Sequence, residues 1–169
     1  MTRILAFVGD TYEDLELLYP KLRFEEEGWE VVVAGPQAGQ LYHGKHGYPC
    51  PADTNFESVS AEDFDALLIP GGFMPDKLRR DPQVLNLVRA FDTQRKPIAM
   101  ICHGGWIPIS AGILGGRRAT STPGIRDDMT NAGVEWSDEP LVIDGNLISS
   151  RQPRDLPVFA RAVVEALTS

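Results

Sequence analysis

Short apolar runs alternate with helix-like segments along this whole chain, and that alternation restricts its fold more than any other feature. Arg3 to Val8, Glu30 to Ala34, Asp65 to Ile69 and Pro97 to Ile101 carry unbroken apolar stretches and read as core strands. Between them, Tyr12 to Glu27 holds a helix or two, with Pro20 marking a break or a start, and Gly28 is a helix stop. Asp81-Pro82 opens a helix through Phe91, with apolar Val84, Leu85, Val88 and Phe91 on one side. Residues 36–51, rich in Gly, Pro and Tyr, read as a hairpin excursion rather than another strand–helix unit. Beyond the Cys102 strand, Trp106 to Gly112 and Ile125 to Ala132 read as helices, and Pro153 to Leu167 as the closing one. Val134 to Trp136, Leu141 to Ile143 and Leu147 to Ser150 read as short strands, the last two joined through Asp144-Gly145-Asn146. The pattern predicts an α/β three-layer sandwich with a mostly parallel sheet, formed as one domain over residues 1–169.

In such sheets ligands gather beyond the carboxyl ends of the strands. Three loops should meet there: Gly9 to Asp14, Pro70 to Asp76, and Cys102 to Gly105. Cys102 follows the apolar run Pro97 to Ile101 and precedes His103-Gly104-Gly105, so it sits at a sharp strand-to-helix turn. Such a turn lifts a side chain clear of the sheet edge and is where a fold displays a nucleophile. The N–H groups and partial positive charge at the start of the next helix are expected to favour thiolate over thiol.

The remaining site candidates each read two ways. Glu13, Asp14 and Glu16 are, by residue type, acids suited to the first turn of a helix. Alternatively Glu13 points at Cys102, where burial and like charge would keep it protonated and able to donate to the sulfur. Gly71 and Gly72 are either a plain turn or, with the His103 N–H, an oxyanion hole. His103 is a base or orienter for Cys102 if the turn brings the two adjacent side chains together. His43 and His46 read as loop histidines, and no metal site is expected. Gly71-Gly72 lacks the spacing of either nucleotide-binding glycine motif, and no cofactor is expected.

A net charge of −8 argues against binding nucleic acid or anionic membrane through phosphate contacts. No apolar run is long enough to span a bilayer, and the N-terminal segment reads as a first strand rather than a signal peptide, so a cytoplasmic location is expected. Cys50 and Cys102 are the only cysteines, and both are expected to be reduced, with Cys50 structural.

Taken in order, several stretches resemble the ThiJ/PfpI superfamily, and within it the PfpI-like intracellular cysteine peptidases. They are Tyr12-Glu13-Asp14-Leu15-Glu16-Leu17, Gly44-Lys45-His46-Gly47-Tyr48, Phe64 to Gly72, Ile101-Cys102-His103-Gly104, Pro123 to Met129, Asn131 to Trp136, and Ser149-Ser150-Arg151 with Pro153 and Asp155-Leu156. The resemblance implies a flavodoxin-like sandwich, a nucleophile-elbow cysteine at Cys102, His103 beside it, and Glu13 as the acid contacting the sulfur. It implies a homo-oligomer, a dimer or a hexamer of dimers, in which an acid from a neighbouring subunit orients the histidine. That position falls on Asp76, where better-known members carry glutamate. Two departures stand out: Cys-His-Gly-Pro becomes Cys102-His103-Gly104-Gly105 followed by Trp106, and Thr122 stands where the archaeal peptidases commonly have tyrosine.

These features imply a cysteine-dependent hydrolase or lyase acting on small carbonyl substrates, of glyoxalase or deglycase type, with small-peptide hydrolysis as a related activity. The alternative is a redox or stress-response protein whose Cys102 is oxidised to sulfinate with little turnover. A class I glutamine amidotransferase is disfavoured, since no histidine follows His103.

Overall fold

The computed structural model describes residues 1–169. Four strands form the centre of one sheet: β1 (Arg3–Phe7), β2 (Glu30–Gly35), β6 (Ala66–Ile69) and β7 (Ile98–Ile101). Every residue of β6 and β7 is buried, as expected for parallel strands covered on both faces. A short strand β5 (Thr54–Asn55) adds to the β2 edge in parallel. At the other edge β11 (Leu147–Ser150) runs parallel to β7, and β10 (Val142–Asp144) closes the sheet antiparallel to β11. The order is β10-β11-β7-β6-β1-β2-β5. The hairpin expected at Asp144-Gly145-Asn146 is present, with Gly145 at φ +58°.

Helices flank the sheet. α1 (Asp14–Glu26) packs against α6 (Leu156–Thr168), while α3 (Pro82–Thr93) packs against α4 (Trp106–Ala111). Asp81 caps α3 by accepting the Gln83 N–H at 2.9 Å, and Pro82 occupies its first turn. Asp155 accepts from the Arg151 backbone at 3.1 Å and from its Nε at 2.9 Å, which ties the end of β11 to the start of α6.

Pro20 neither breaks nor starts a helix. α1 runs through it, and the ring is buried, so core packing offsets the lost backbone donor. The strand expected at Val134 to Trp136 is present as β9 (Glu135–Trp136), but α2 (Met74–Leu78), β5 and β8 (Arg118–Ala119), which pairs with β9 in parallel apart from the main sheet, go beyond the sequence pattern. The two-residue strands are too short to carry a periodic signal. α5 (Arg126–Asn131) completes the helices. No helix is long and apolar enough to cross a membrane.

The excursion over residues 36–51 is a hairpin of β3 (Leu41–His43) and β4 (Pro49–Pro51), separate from the main sheet. Asp14, at the start of α1, pins its tip by accepting the His46 and Tyr48 N–H groups, each at 2.9 Å. Burial works against the Asp14 charge, but these two donors hold its pKa below the ordinary value. Tyr12 adds a 2.5 Å bond from its hydroxyl to the Tyr48 carbonyl. The hairpin is thereby held against the loop that follows β1, at the carboxyl end of the sheet.

Candidate active site

β7 ends at Cys102, whose φ is +61°. A left-handed conformation in a non-glycine residue costs on the order of 1–3 kcal/mol, so the flanking structure must impose it. Before it lies a fully buried strand, and after it a 3-10 turn over Cys102–Gly105 that leads directly into α4. The Cys102 carbonyl is held by the Thr122 N–H at 3.3 Å. This reversal of hand turns the adjacent side chains to the same side, and the Cys102 Sγ lies 3.3 Å from His103 Nδ1.

The acid that the structure brings to the sulfur is Glu16, not Glu13. Glu13 is the N-cap of α1, and its extended backbone turns the carboxylate back along the helix, where Oε2 accepts the Glu16 N–H at 3.1 Å. Its other oxygen faces His46 Nε2 at 3.6 Å. Glu16 sits one turn further on and is fully buried. Its Oε1 accepts the Gly71 N–H at 3.0 Å, while Oε2 has no well-formed hydrogen bond and the carboxyl couples electrostatically to the Cys102 thiol. How closely these groups crowd is shown by Gly71. A Cβ there would lie 2.6 Å from Glu16 Oε1, 2.9 Å from Cys102 Cβ and 3.0 Å from the His103 nitrogen.

Burial, followed by the charge of Glu13, pushes the Glu16 pKa up to about 8. Cys102 is pushed up to about 12, first by burial and then by the Glu16 charge. The His103 N–H and the Lys45 ammonium oppose that rise but do not cancel it. The expected thiolate-favouring effect of the helix start is therefore outweighed, because Cys102 as a residue is only 9% exposed and its thiol faces a carboxyl. His103 is lowered from its ordinary value, by burial and then by Lys45, so its ring is neutral near pH 7. Together these shifts favour a thiol, a protonated carboxyl and a neutral imidazole near neutral pH.

The two glycines part company. The Gly71 N–H is taken by Glu16 and cannot serve an oxyanion, which corrects half of the expected pair. Gly72 is bridged to Tyr12 through the Glu13 and Phe73 N–H groups on either side, and its own N–H is used in no hydrogen bond of the chain. Gly72 has φ +80°, and a Cβ would lie 2.5 Å from the Glu13 nitrogen, so only glycine fits.

Asp76, in α2, is half-exposed and bonded to Arg80 at 2.6 Å; it does not meet His103 within the chain. Lys45 was not singled out from sequence, yet its charge acts on Cys102, His103 and Glu16 alike. Its backbone N–H bonds the Tyr12 carbonyl at 2.8 Å, which fixes the hairpin tip over the first loop. Ligand atoms of Glu13, Asp14 and His46 lie within 4.8 Å of one another, but both Asp14 oxygens already accept backbone N–H groups, so the cluster anchors the hairpin. Cys50 and Cys102 are both free. Cys50 lines a separate cavity of about 480 Å³ between α1 and the hairpin, and burial raises its pKa.

Comparison with known proteins gives a consistent result. The family model described as the DJ-1/PfpI family matches residues 2–166. The chain is 47% identical over 165 residues to a protein named Deglycase PH1704 from Pyrococcus horikoshii, covering 98% of this chain and 99% of that one. It is 42% identical over 152 residues to General stress protein 18 from Bacillus subtilis, covering 89% of this chain and 88% of that one. Among solved structures, a two-domain protein from Anabaena variabilis, with DJ-1/ThiJ/PfpI-like and ferritin-like domains, superposes with a TM-score of 0.98 at 38% identity. That match covers 99% of this chain and 48% of the longer one. The names of close relatives support an enzyme activity of deglycase or hydrolase type. A match that runs almost from end to end, on a sheet that ends in a left-handed cysteine, leaves one assignment: this chain belongs to the DJ-1/PfpI family.

Proposed function

We propose that this chain is a cysteine-dependent enzyme that acts on small carbonyl compounds, in the manner of a deglycase or a cofactor-free glyoxalase. The observation that carries the reading is Cys102 at φ +61° with His103 Nδ1 at 3.3 Å and a buried Glu16 beside it. The resting sulfur is a thiol, so the nucleophile must be made at the moment of attack. His103 is neutral and can accept the thiol proton at Nδ1 as the sulfur adds to an aldehyde carbon. The developing oxyanion is met by the unused Gly72 N–H. Glu16, held protonated, donates to the sulfur or to the oxygen of the adduct without adding a second negative charge.

With methylglyoxal, the adduct is a hemithioacetal. Transfer of its carbon-bound hydrogen to the neighbouring carbonyl carbon oxidises one carbon and reduces the next, giving a thioester that water cleaves to lactate. The net change is methylglyoxal plus water to lactic acid, which needs no external oxidant or reductant. With a methylglyoxal-modified amine the same attack releases the amine as leaving group. A site of this kind suits small peptides or carbonyl compounds better than folded protein. A homo-oligomer completes it in this reading, with Asp76 of a neighbouring copy facing His103 Nε2.

The test is lactate formation from methylglyoxal, and amine release from methylglyoxal-treated N-acetylarginine, by the wild type and by Cys102→Ala. Equal rates in the two proteins would sink the proposal. A redox-sensing role is the second reading, and the neutral Glu16 carboxyl favours it as a donor able to stabilise a sulfinate. The raised thiol pKa counts against it, since peroxide reacts with thiolate. Mass spectrometry after mild peroxide decides: addition of two oxygens at Cys102 in a protein without aldehyde turnover supports the sensor.

A further inference from the structure

The geometry points to Trp106 as the positioning residue that holds the His103 ring on the sulfur, locked in turn by Asp128. This rests on the proposed role of His103 and names a part of the site that no residue pattern assigned. Trp106 follows His103 by three residues across the turn into α4, so the two side chains share a face. Their ring centroids lie 5.1 Å apart with a 57° tilt, inside the range where aromatic pairs attract. Within the chain the only hydrogen-bond contact of His103's ring is Nδ1 to Cys102 Sγ. One such contact fixes a distance but leaves the ring free to swing about it. The indole supplies the second constraint.

Trp106 is itself fixed from two other elements. Its Nε1 donates to Asp128 Oδ2 of α5 at 2.9 Å. The Arg79 guanidinium lies 5.6 Å from the indole centroid, and its Nε bonds Ser110 Oγ at 2.8 Å. The turn between the two rings cannot relax readily, because a Cβ at Gly105 would lie 2.9 Å from Met129 Sδ. The charged or titratable groups around the ring are Cys102 and Glu16 at the sulfur, Lys45 from the hairpin, and Arg79 and Asp128 across the indole.

The test follows two signals that need no turnover: the rate of Cys102 alkylation by iodoacetamide across pH 6 to 9, and the titration of the His103 ring by NMR. Trp106→Leu should slow alkylation at neutral pH by about three- to tenfold, the equivalent of losing one aromatic pair, and move the His103 titration toward the ordinary histidine value. Trp106→Phe, which keeps a ring, should restore the rate to within about twofold. Asp128→Ala, an exposed change that leaves the indole in place but unlocked, should fall between them and covers the case in which Trp106→Leu does not fold. Unchanged alkylation and an unchanged His103 titration in Trp106→Leu, or in Asp128→Ala if the former is unfolded, overturn the inference. If the wild type turns over no aldehyde, the proposed function fails, while these two signals still decide the role of Trp106.

Discussion

Glu16 and Cys102 are buried side by side against Gly71, and the Glu16 carboxyl raises the Cys102 pKa while the contact with Cys102 lowers that of Glu16. Burial is the largest cause for both groups, so the pair holds its protons well above the range where free carboxyls let go. In the proposed reaction the sulfur therefore stays a thiol until substrate is bound and the adjacent His103 takes its proton.

The raised Glu16 pKa has a signature in stability. The folded Glu16 pKa of about 8 lies above its unfolded value, so the folded chain binds more protons in between. Its contribution is full below the unfolded carboxyl pKa and is lost as pH rises through about 8. The melting temperature should fall across that window in the wild type and fall less in Glu16→Gln. Parallel curves for the two proteins would contradict the assignment.

Alkylation of Cys102 in the absence of substrate should be slow at pH 7 and should rise with a midpoint above that of a free thiol. Glu16→Gln removes a potential negative charge and should lower the midpoint. Iodoacetamide labelling followed by mass spectrometry separates Cys102 from Cys50.

Gly71→Ala should uncouple the site. The new methyl group enters the space between Glu16 Oε1 and Cys102, so turnover should drop by more than about tenfold, roughly the effect of losing one well-placed catalytic contact. Gly72→Ala should chiefly destabilise, by more than about 1 kcal/mol, since it combines φ +80° with a backbone collision. Urea unfolding and lactate assays distinguish the two outcomes.

Asp14→Ala should release the hairpin, because it strips two backbone N–H groups of a charged acceptor. The expected loss is about 2 kcal/mol, with faster hydrogen exchange at His46 and Tyr48. Turnover should also change, as Lys45 would no longer be held over the site.

Asp76→Ala removes an exposed pair with Arg80 and should leave stability nearly unchanged. A fall in kcat without a fall in melting temperature would then locate Asp76 at a neighbouring subunit's His103. Unchanged turnover would remove Asp76 from the site.

Much of the frame could be read from sequence, because the strands through Leu5, Leu68 and Ala99 are buried on both faces and their apolar runs are unambiguous. Cys102 was equally legible, since a polar residue at the end of such a run, followed by glycines, has few structural uses. The exchange of Glu13 for Glu16 was not. Both are acids in one helical turn, and which one faces the sulfur depends on where the helix begins, a boundary that sequence places only to within a few residues. Had Glu13 been recognised as the cap, Glu16 would have followed one turn later. The thiol pKa runs opposite to the thiolate expected from the helix start for a different reason: burial of Cys102 comes from the loops around Gly71 and Thr122, which no local pattern describes.

At residue 102 the backbone reverses its hand for a single step. A conformation imposed from outside lasts only as long as its surroundings stay stiff. Loosening of β6 or β7 would let this residue relax to an ordinary geometry and swing its side chain away, while the layered frame still stood. Mild heat or denaturant should therefore silence the chemistry before it unravels the architecture, and a lineage drifting from catalysis would keep the scaffold long after the reactive atom had lost its aim.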